Sequence, residues 1–222
     1  HIEQGPVLED AGVTIGVVQG VLGIRWFDCT VTGMEAHAGP TPMALRKDAM
    51  QVSARIMQEV VACAMRHQPH GRGTVGMVQV FPNSRNVIPG RVKFSIDLRN
   101  STDALVDQMA DEVKAFAAKV AQESGLDVKI EMVSSYPAQA FHDDCKSAVA
   151  NAAAKLGYSN MPAVSGAGHD AVYMARLAPS GMIFIPCKDG ISHNEIESAK
   201  PEHITAGCNV LLHAMLEKAG VL

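Results

Sequence analysis

Between Arg25 and Ser134 two hydrophobic periods alternate in an order that few folds can satisfy. The clearest stretch runs from Arg91 to Arg99. There Val92, Phe94, Ile96 and Leu98 alternate with Arg91, Lys93, Ser95 and Asp97, the period of a strand with one buried face. Arg25 to Thr32 repeats the pattern, with Phe27, Cys29 and Val31 on one face and Trp26, Asp28 and Thr30 on the other. Thr74 to Phe81 reads as a further strand, and Val128, Ile130 and Met132 mark a fourth. Between them the spacing switches to three and four. Ala49, Val52, Ile56, Val60 and Cys63 form one stripe of a helix, with Thr41 expected at its N-cap and Pro42 at its first position. Leu105, Met109, Val113, Phe116 and Val120 form the inner face expected of a helix from Thr102 to Ser124, closed by Gly125. The order is β-α-β-β-α-β. That split unit predicts a four-stranded antiparallel sheet with two helices on one face.

The flanking segments do not make a domain alone. Residues 1–21 supply a strand-like piece. Residues 142–222 supply a helix stopped at Gly157, the turn Ser165-Gly166-Ala167-Gly168-His169-Asp170, a buried strand from Met182 to Pro186 and the loop Gly190-Ile191-Ser192-His193-Asn194. A closing helix from about Pro201 to Lys218 completes them. Strands alternating with helices predict part of an α/β layer, residues 1–22 and 135–222, into which the unit of residues 23–134 is inserted. The chain opens on His1-Ile2-Glu3-Gln4-Gly5-Pro6 without a methionine, and the expectation is a fragment of a longer enzyme.

Composition narrows the function classes. With 47% hydrophobic and 19% charged residues, the 222-residue chain is globular rather than disordered. A net charge of −4 gives no general attraction to nucleic acid or to an anionic membrane, and no window of 18 apolar residues exists to span one. Five scattered cysteines without a C-x-x-C pattern read as free thiols, which points to a reducing cytoplasm. G-x-S-x-G, Walker and Rossmann fingerprints are all missing from the sequence, which argues against serine hydrolases, P-loop NTPases and dinucleotide enzymes.

Four histidines fall where strands give way to loops: His1, His37, His169 and His193. Neutral imidazole is the commonest zinc ligand, and catalytic zinc takes three protein ligands and a water. His1 and His193 alone do not make such a site, and a hydrogen-bonded structural role accounts for each as well. Glu3 and Glu195 read as surface charges. His67 and His70 at a polar helix end, and His142, His203 and His213 on helices, read as capping or surface groups. Arg99 with Asn86 offers the guanidinium and amide that recognise a carboxylate, against an equal alternative in which Arg99 pairs with Asp97. His37, among small neighbours, could donate to an oxyanion, and Gly168-His169 could present an N–H and an imidazole to a ligand or merely open a helix.

Five segments in order resemble one family. They are His1-Ile2-Glu3-Gln4-Gly5-Pro6; Gly33-Met34-Glu35-Ala36-His37-Ala38-Gly39-Pro40-Thr41-Pro42-Met43 with Arg46 and Asp48; Asn83 to Gly90 with Asp97-Leu98-Arg99; Ser165 to Asp170; and Gly190 to Asn194. Together they resemble the zinc-dependent amidohydrolase branch of the M20 metallopeptidase group: N-carbamoyl-L-amino acid hydrolases, β-ureidopropionases and allantoate amidohydrolases. The resemblance implies part of a zinc-hydrolase α/β catalytic domain with an inserted ferredoxin-like lid, through which two subunits form a homodimer and lend residues to each other's sites. It implies His1 and His193 as metal ligands, a substrate-contacting set of Gln4, His37, Asn86, Arg99, Gly168 and His169, and His37 as the oxyanion donor. The cofactors implied are two divalent ions, zinc or manganese, and the substrate a small ureido acid. The family's first zinc histidine, bridging aspartate, further carboxylate ligand and general-base glutamate lie outside this sequence, so the chain as written is expected to be inactive. Two alternatives stand beside this: an M20 aminoacylase or dipeptidase, and a non-catalytic dimerisation fragment.

Overall fold

In the computed structural model, which describes residues 1–221, the chain divides into two compact units, residues 1–22 with 139–222 and residues 23–138. In chain order the elements are α1 (Val7–Asp10), β1 (Ile15–Val21), β2 (Gly23–Thr32), β3 (Ala36–His37), α2 (Ala49–Arg66), β4 (Arg72–Thr74), β5 (Val78–Phe81), β6 (Val87–Ile88) and β7 (Arg91–Asn100). They continue with α3 (Asp103–Ser124), β8 (Asp127–Tyr136), β9 (Gln139–Ala140), α4 (Asp143–Lys155), β10 (Asn160–Ser165), α5 (Ala171–Ala175), β11 (Ile183–Phe184) and α6 (Pro201–Lys218).

The inserted unit is organised by β7. Its even-numbered residues Val92, Phe94, Ile96 and Leu98 are all buried, while the odd ones face outward, so one face of the strand must be covered. Neighbours β2 and then β8 pair on one side; β4 and β5 both pair on the other, all antiparallel. The sheet order second, third, first, fourth is that of the split β-α-β-β-α-β unit. Phe27, Cys29 and Val31 of β2 join the core, and Val52, Ile56 and Val60 of α2 with Met109, Val113 and Val120 of α3 cover it.

Four local expectations change. The helix α2 starts at Ala49, not after Thr41. Asp48 is its cap, accepting from Met50 and Gln51, whereas Thr41 donates to the His37 carbonyl and Pro42 precedes a single 3₁₀ turn. The strand expected over residues 74–81 is two short pieces, β4 and β5, broken around Gly76. On α3 the buried stripe starts at Val106, and Leu105 is 37% exposed. On β8 the register against β2 jumps between Phe27 and Trp26, so the extra residue Val133 turns Met132 outward as well. At Gly33, just past β2, an added Cβ would stand 2.1 Å from the Lys47 carbonyl oxygen, so only glycine lets the loop before α2 close.

Arg25 is buried inside this unit. Burial opposes its charge, but Asp107 at 2.8 Å and Asp103 at 3.1 Å raise its pKa, and the carbonyls of Ile24 and Tyr136 take two further N–H bonds.

In the other unit β1 is central and buried on both faces, between β10 in parallel and β11 and β9 antiparallel. Ile15 and Val17 pack with α4 and α6 on one side; Val18 and Val21 pack with Leu8, Phe141 and Phe184 on the other. The strand expected over residues 182–186 is confined to Ile183–Phe184 and continued by a bridge from Ile185 to Ile2.

Phe94→Ala should cost about 3–5 kcal/mol of stability because the cavity sits where sheet and both helices meet. Leu105→Ala, on the same unit, should cost less than about 1 kcal/mol. Urea denaturation of the two variants checks the assignment of the buried face; equal losses would refute it.

Candidate functional site

The first three residues run parallel to the end of β11. Ile185 donates its N–H to the His1 carbonyl at 3.0 Å, and Glu3 donates to the Ile185 carbonyl at 3.0 Å. Glu3 is not a free surface charge. Its carboxylate accepts from the backbone N–H of Val7 at 3.2 Å and Leu8 at 2.8 Å and so caps α1. Burial pushes its pKa up, against those two bonds. Glu195, in contrast, is exposed.

This register lays the His1 ring edge-on against His169, with centroids 4.8 Å apart; His169 in turn leans on Phe184 at 5.6 Å. Hydrogen bonds fix which nitrogen of each ring carries a proton. His1 Nδ1 is 2.7 Å from the Ile2 carbonyl, which can only accept, so Nδ1 is protonated and Nε2 keeps its lone pair. Ser165 Oγ donates to the Ala167 carbonyl at 2.8 Å, so towards His169 Nε2, 2.9 Å away, it can only accept; His169 holds its proton on Nε2 and its lone pair on Nδ1. Burial pushes the His169 pKa down, which keeps the ring neutral. Nothing crowds the space where a Cβ on Gly168 would stand, so packing within the described residues does not require a glycine there.

The His193 loop is packed against the same segment. Gly190, at φ +65°, approaches so closely that a Cβ would meet Pro6 N at 2.7 Å. Cys187 bridges the two stretches: its thiol donates to the Ile191 carbonyl at 2.9 Å, and the Gln4 backbone N–H reaches its sulfur. Gln4 and His193 both hold positive φ, +61° and +55°, a conformation that costs a non-glycine residue about 1 kcal/mol or more. At His193 the turn is secured by Glu197, which accepts from the Ser192 hydroxyl at 2.6 Å and the His193 N–H at 3.3 Å. The structure therefore brings Gln4, the His193 loop and the His1–His169 pair into one neighbourhood. A cleft of about 520 Å³ opens beside His1; its walls are mostly apolar (Ile2, Ile204, Leu211, Met215), with Lys218 as a cation, and include neither His169 nor His193.

In the inserted unit His37 lies on β3, which pairs with β6 (Ala36 with Ile88, His37 with Val87). Its Nδ1 accepts from the Gly39 N–H at 3.1 Å, so the proton sits on Nε2 and points to whatever acceptor approaches the exposed ring. Arg46 stiffens this loop by donating to the carbonyls of Ala38 at 2.6 Å and Thr41 at 3.1 Å. Asn86 is tied in as well: its carbonyl accepts from Ala38 N–H at 2.8 Å and its side-chain oxygen from Ser84 at 3.0 Å. Arg99 pairs with Asp97 through Nε at 2.9 Å and Nη2 at 2.6 Å, which fixes the plane of its guanidinium. Arg99 and Asn86 do not converge. His37 and, one residue before β6, Asn86 belong to the two-stranded β3–β6 pair beyond the Arg91 end of β7, while Arg99 stands opposite Ile24 at its other end, about 26 Å along the strand.

As metal donors His1 and His193 fit in kind, and the free Nε2 of His1 is the nitrogen a metal needs; in number they fall short of a centre. Among the described residues, three or more His, Cys, Asp or Glu donor atoms within 4.8 Å of one another occur in one group only: Cys63 on α2, His67 at its C-terminal cap and Glu112 on α3. Sequence patterns passed over it because Cys63 belongs to the buried stripe and Glu112 is 45 residues from His67.

The chain matches proteins of known activity along its whole length. An N-carbamoyl-L-amino-acid amidohydrolase of Rhizobium meliloti is 45% identical over 222 residues, 100% of this chain and 53% of that protein. An allantoate amidohydrolase of Bacillus subtilis is 33% identical over 219 residues, 99% of this chain and 53% of that protein. The crystal structure of a hydantoinase/carbamoylase-family amidase from Burkholderia multivorans superposes with a TM-score of 0.97 at 52% identity, covering 99% of this chain and 53% of that one. The chain thus spans about half the length of the relatives it matches. With the profile of peptidase family M20/M25/M40 matching residues 1–217, the chain belongs to that family.

Proposed function

We propose that the chain forms part of a metal-dependent amidohydrolase that cleaves the ureido C–N bond of N-carbamoyl-L-amino acids or related ureido acids, releasing ammonia, carbon dioxide and the amino acid. One observation carries the proposal: the segment of His1 and Gln4, the ring of His169 and the loop of His193 are held together, with the lone pair of His1 directed away from its own backbone. The names of the relatives support the substrate class.

His1 and His193 would hold the metal, zinc or manganese, and two ions per subunit complete the proposed centre. Bound there, a divalent ion supplies a water acidic enough to attack near neutral pH, with a pKa of about 7, and polarises the carbonyl. His37 donates an Nε2–H hydrogen bond to the oxyanion that develops on the oxygen of the attacked carbonyl. Arg99 and Asn86 anchor carboxylate and polar groups of substrate, with Asp97 holding the guanidinium in plane. Gln4, Gly168 and His169 line the ureido end. Because β7 separates Arg99 from His37 and Asn86, they cannot grip one small ureido acid from the same inserted unit. A second copy in a homodimer supplies one of the two sets.

Three measurements test this. The chain as written, loaded with zinc, should release no ammonia from N-carbamoyl amino acids, since its described residues bring no third ligand or general base to His1 and His193; clear turnover would refute that count. In an enzyme of the relatives' full length, Arg99→Ala should raise KM about 10- to 100-fold with kcat little changed, the loss of a charge-assisted pair worth about 1.5–3 kcal/mol. An unchanged KM with metal still bound removes Arg99 from the carboxylate role. Assayed with substrate well below the wild-type KM, where both parents are weak, mixing the Arg99→Ala and His37→Ala homodimers should restore activity to about a quarter of wild type, because half of the dimers become mixed and each has one intact site. Absence of recovery after verified subunit exchange would place both residues in one site of one copy.

A further inference from the structure

We infer that the inserted unit carries a metal site of its own, formed by Cys63, His67 and Glu112 and suited to zinc or another borderline-soft divalent ion. Cys63 lies in the last turn of α2 and His67 is the residue that caps the helix end, its N–H bonded to the Cys63 carbonyl at 3.2 Å; Glu112 meets them from α3. Cys63 Sγ is 3.6 Å from one Glu112 oxygen and His67 Nε2 is 2.9 Å from the other. All three donor atoms lie within 4.8 Å of one another. Around a tetrahedral zinc, donors at 2.0–2.3 Å from the ion stand about 3.3–3.7 Å apart. The Cys63–Glu112 spacing of 3.6 Å lies within that range and the His67–Glu112 spacing of 2.9 Å just below it. A sulfur, an imidazole nitrogen and one carboxylate oxygen select zinc or cobalt over magnesium and calcium, which take oxygen sets.

The charges around the cluster favour a dication rather than oppose it. Burial works against the ionisation of Glu112, yet His67, Arg66 and Gln108 outweigh it and hold the carboxyl at about 2. Arg66 Nη2 sits 3.0 Å from Glu112 Oε2 and also pairs with Glu59. It can keep Oε2 and Glu59 while Oε1, now on His67, turns to the ion, and so becomes the outer support of a ligand carboxylate. Zinc (+2) with Arg66 (+1) then balances Glu59, Glu112 and a Cys63 thiolate (−1 each). Without an ion, burial and the neighbouring Glu112 push the Cys63 thiol up to about 12, so it stays protonated and donates to Glu112 and to the Met109 carbonyl. On binding, the thiol proton leaves to solvent and His67 shifts its proton from Nε2 to Nδ1. The Glu112 side chain is 32% exposed, which opens a path for the ion. Once bound, the ion ties α2 to α3 across the face that covers the sheet.

Cobalt(II) titration of the metal-depleted 222-residue chain tests the inference. The expected result is a thiolate-to-cobalt charge-transfer band saturating at one equivalent. Cys63→Ser should abolish the band, Glu112→Gln and His67→Gln should each weaken cobalt binding about 10-fold or more, and Cys187→Ser and Cys208→Ser should leave it intact. Glu112→Gln, a partly exposed change, keeps the test open if Cys63→Ser fails to fold. The absence of a thiolate band, a band that survives Cys63→Ser, or a cobalt affinity unchanged by Glu112→Gln would overturn the site. Neither His1 nor His193 contributes a thiolate, so the result does not depend on the proposed hydrolase centre.

Discussion

Two hydrogen bonds between residues 1–3 and Ile185 decide where everything chemical in the first unit ends up. They pair segments more than 180 residues apart in sequence, and they hold because Ile185 and Phe184 are themselves buried against the central strand. From that register the rest follows by short covalent distances. His1 is delivered to the edge of His169. Glu3 reaches the start of α1, and Gln4 turns back through positive φ to place its amide on Cys187. A one-residue slip would send each side chain to the opposite side. The loop of His193 depends on the same joint, since Gly190 closes on Pro6 at a distance no side chain allows.

The inserted unit solves a different problem. Its core needs one face of β7 covered, and the other face and both strand ends remain available. Alternation sustained over residues 91–100 makes β7 long enough to separate Arg99 from the β3–β6 pair that carries His37, so the strand that organises the sheet also keeps those groups apart. Arg99 illustrates how two readings of one residue need not compete. Its ion pair with Asp97 is real, and a guanidinium held in plane by one carboxylate is better prepared to recognise another than a mobile one is.

Much of this was legible in the sequence, and the failures share a physical cause. Strand and helix order, the buried stripe of α2 and the left-handed Gly125 cap (φ +65°) came straight from period and composition. The misread residues, by contrast, depend on partners distant in the chain. Thr41 looks like a cap until the His37 carbonyl claims its hydroxyl; Met132 looks inward until a bulge against β2 rotates it. Glu3 looks like solvent-facing charge until α1 presents its free N–H groups. Cys63 fits a hydrophobic stripe so well that its polar neighbours on α3 could not be suspected. Local pattern reports which face is buried, not what the buried face meets.

The tautomers sort the histidines by task in a way their positions alone do not. In His1 a carbonyl takes the Nδ1 proton, leaving Nε2 as a lone-pair donor of the kind a metal requires. In His37 a backbone N–H occupies Nδ1, leaving Nε2–H as a proton donor of the kind an oxyanion requires. Neither ring needs a neighbouring charge to be set for its role, because a single main-chain group one or two residues away suffices. The local loop therefore sets the tautomer, which makes the His-Ile-Glu-Gln and Ala-His-Ala-Gly segments chemically different histidine sites although each is a short stretch with a glycine within a few residues of the ring.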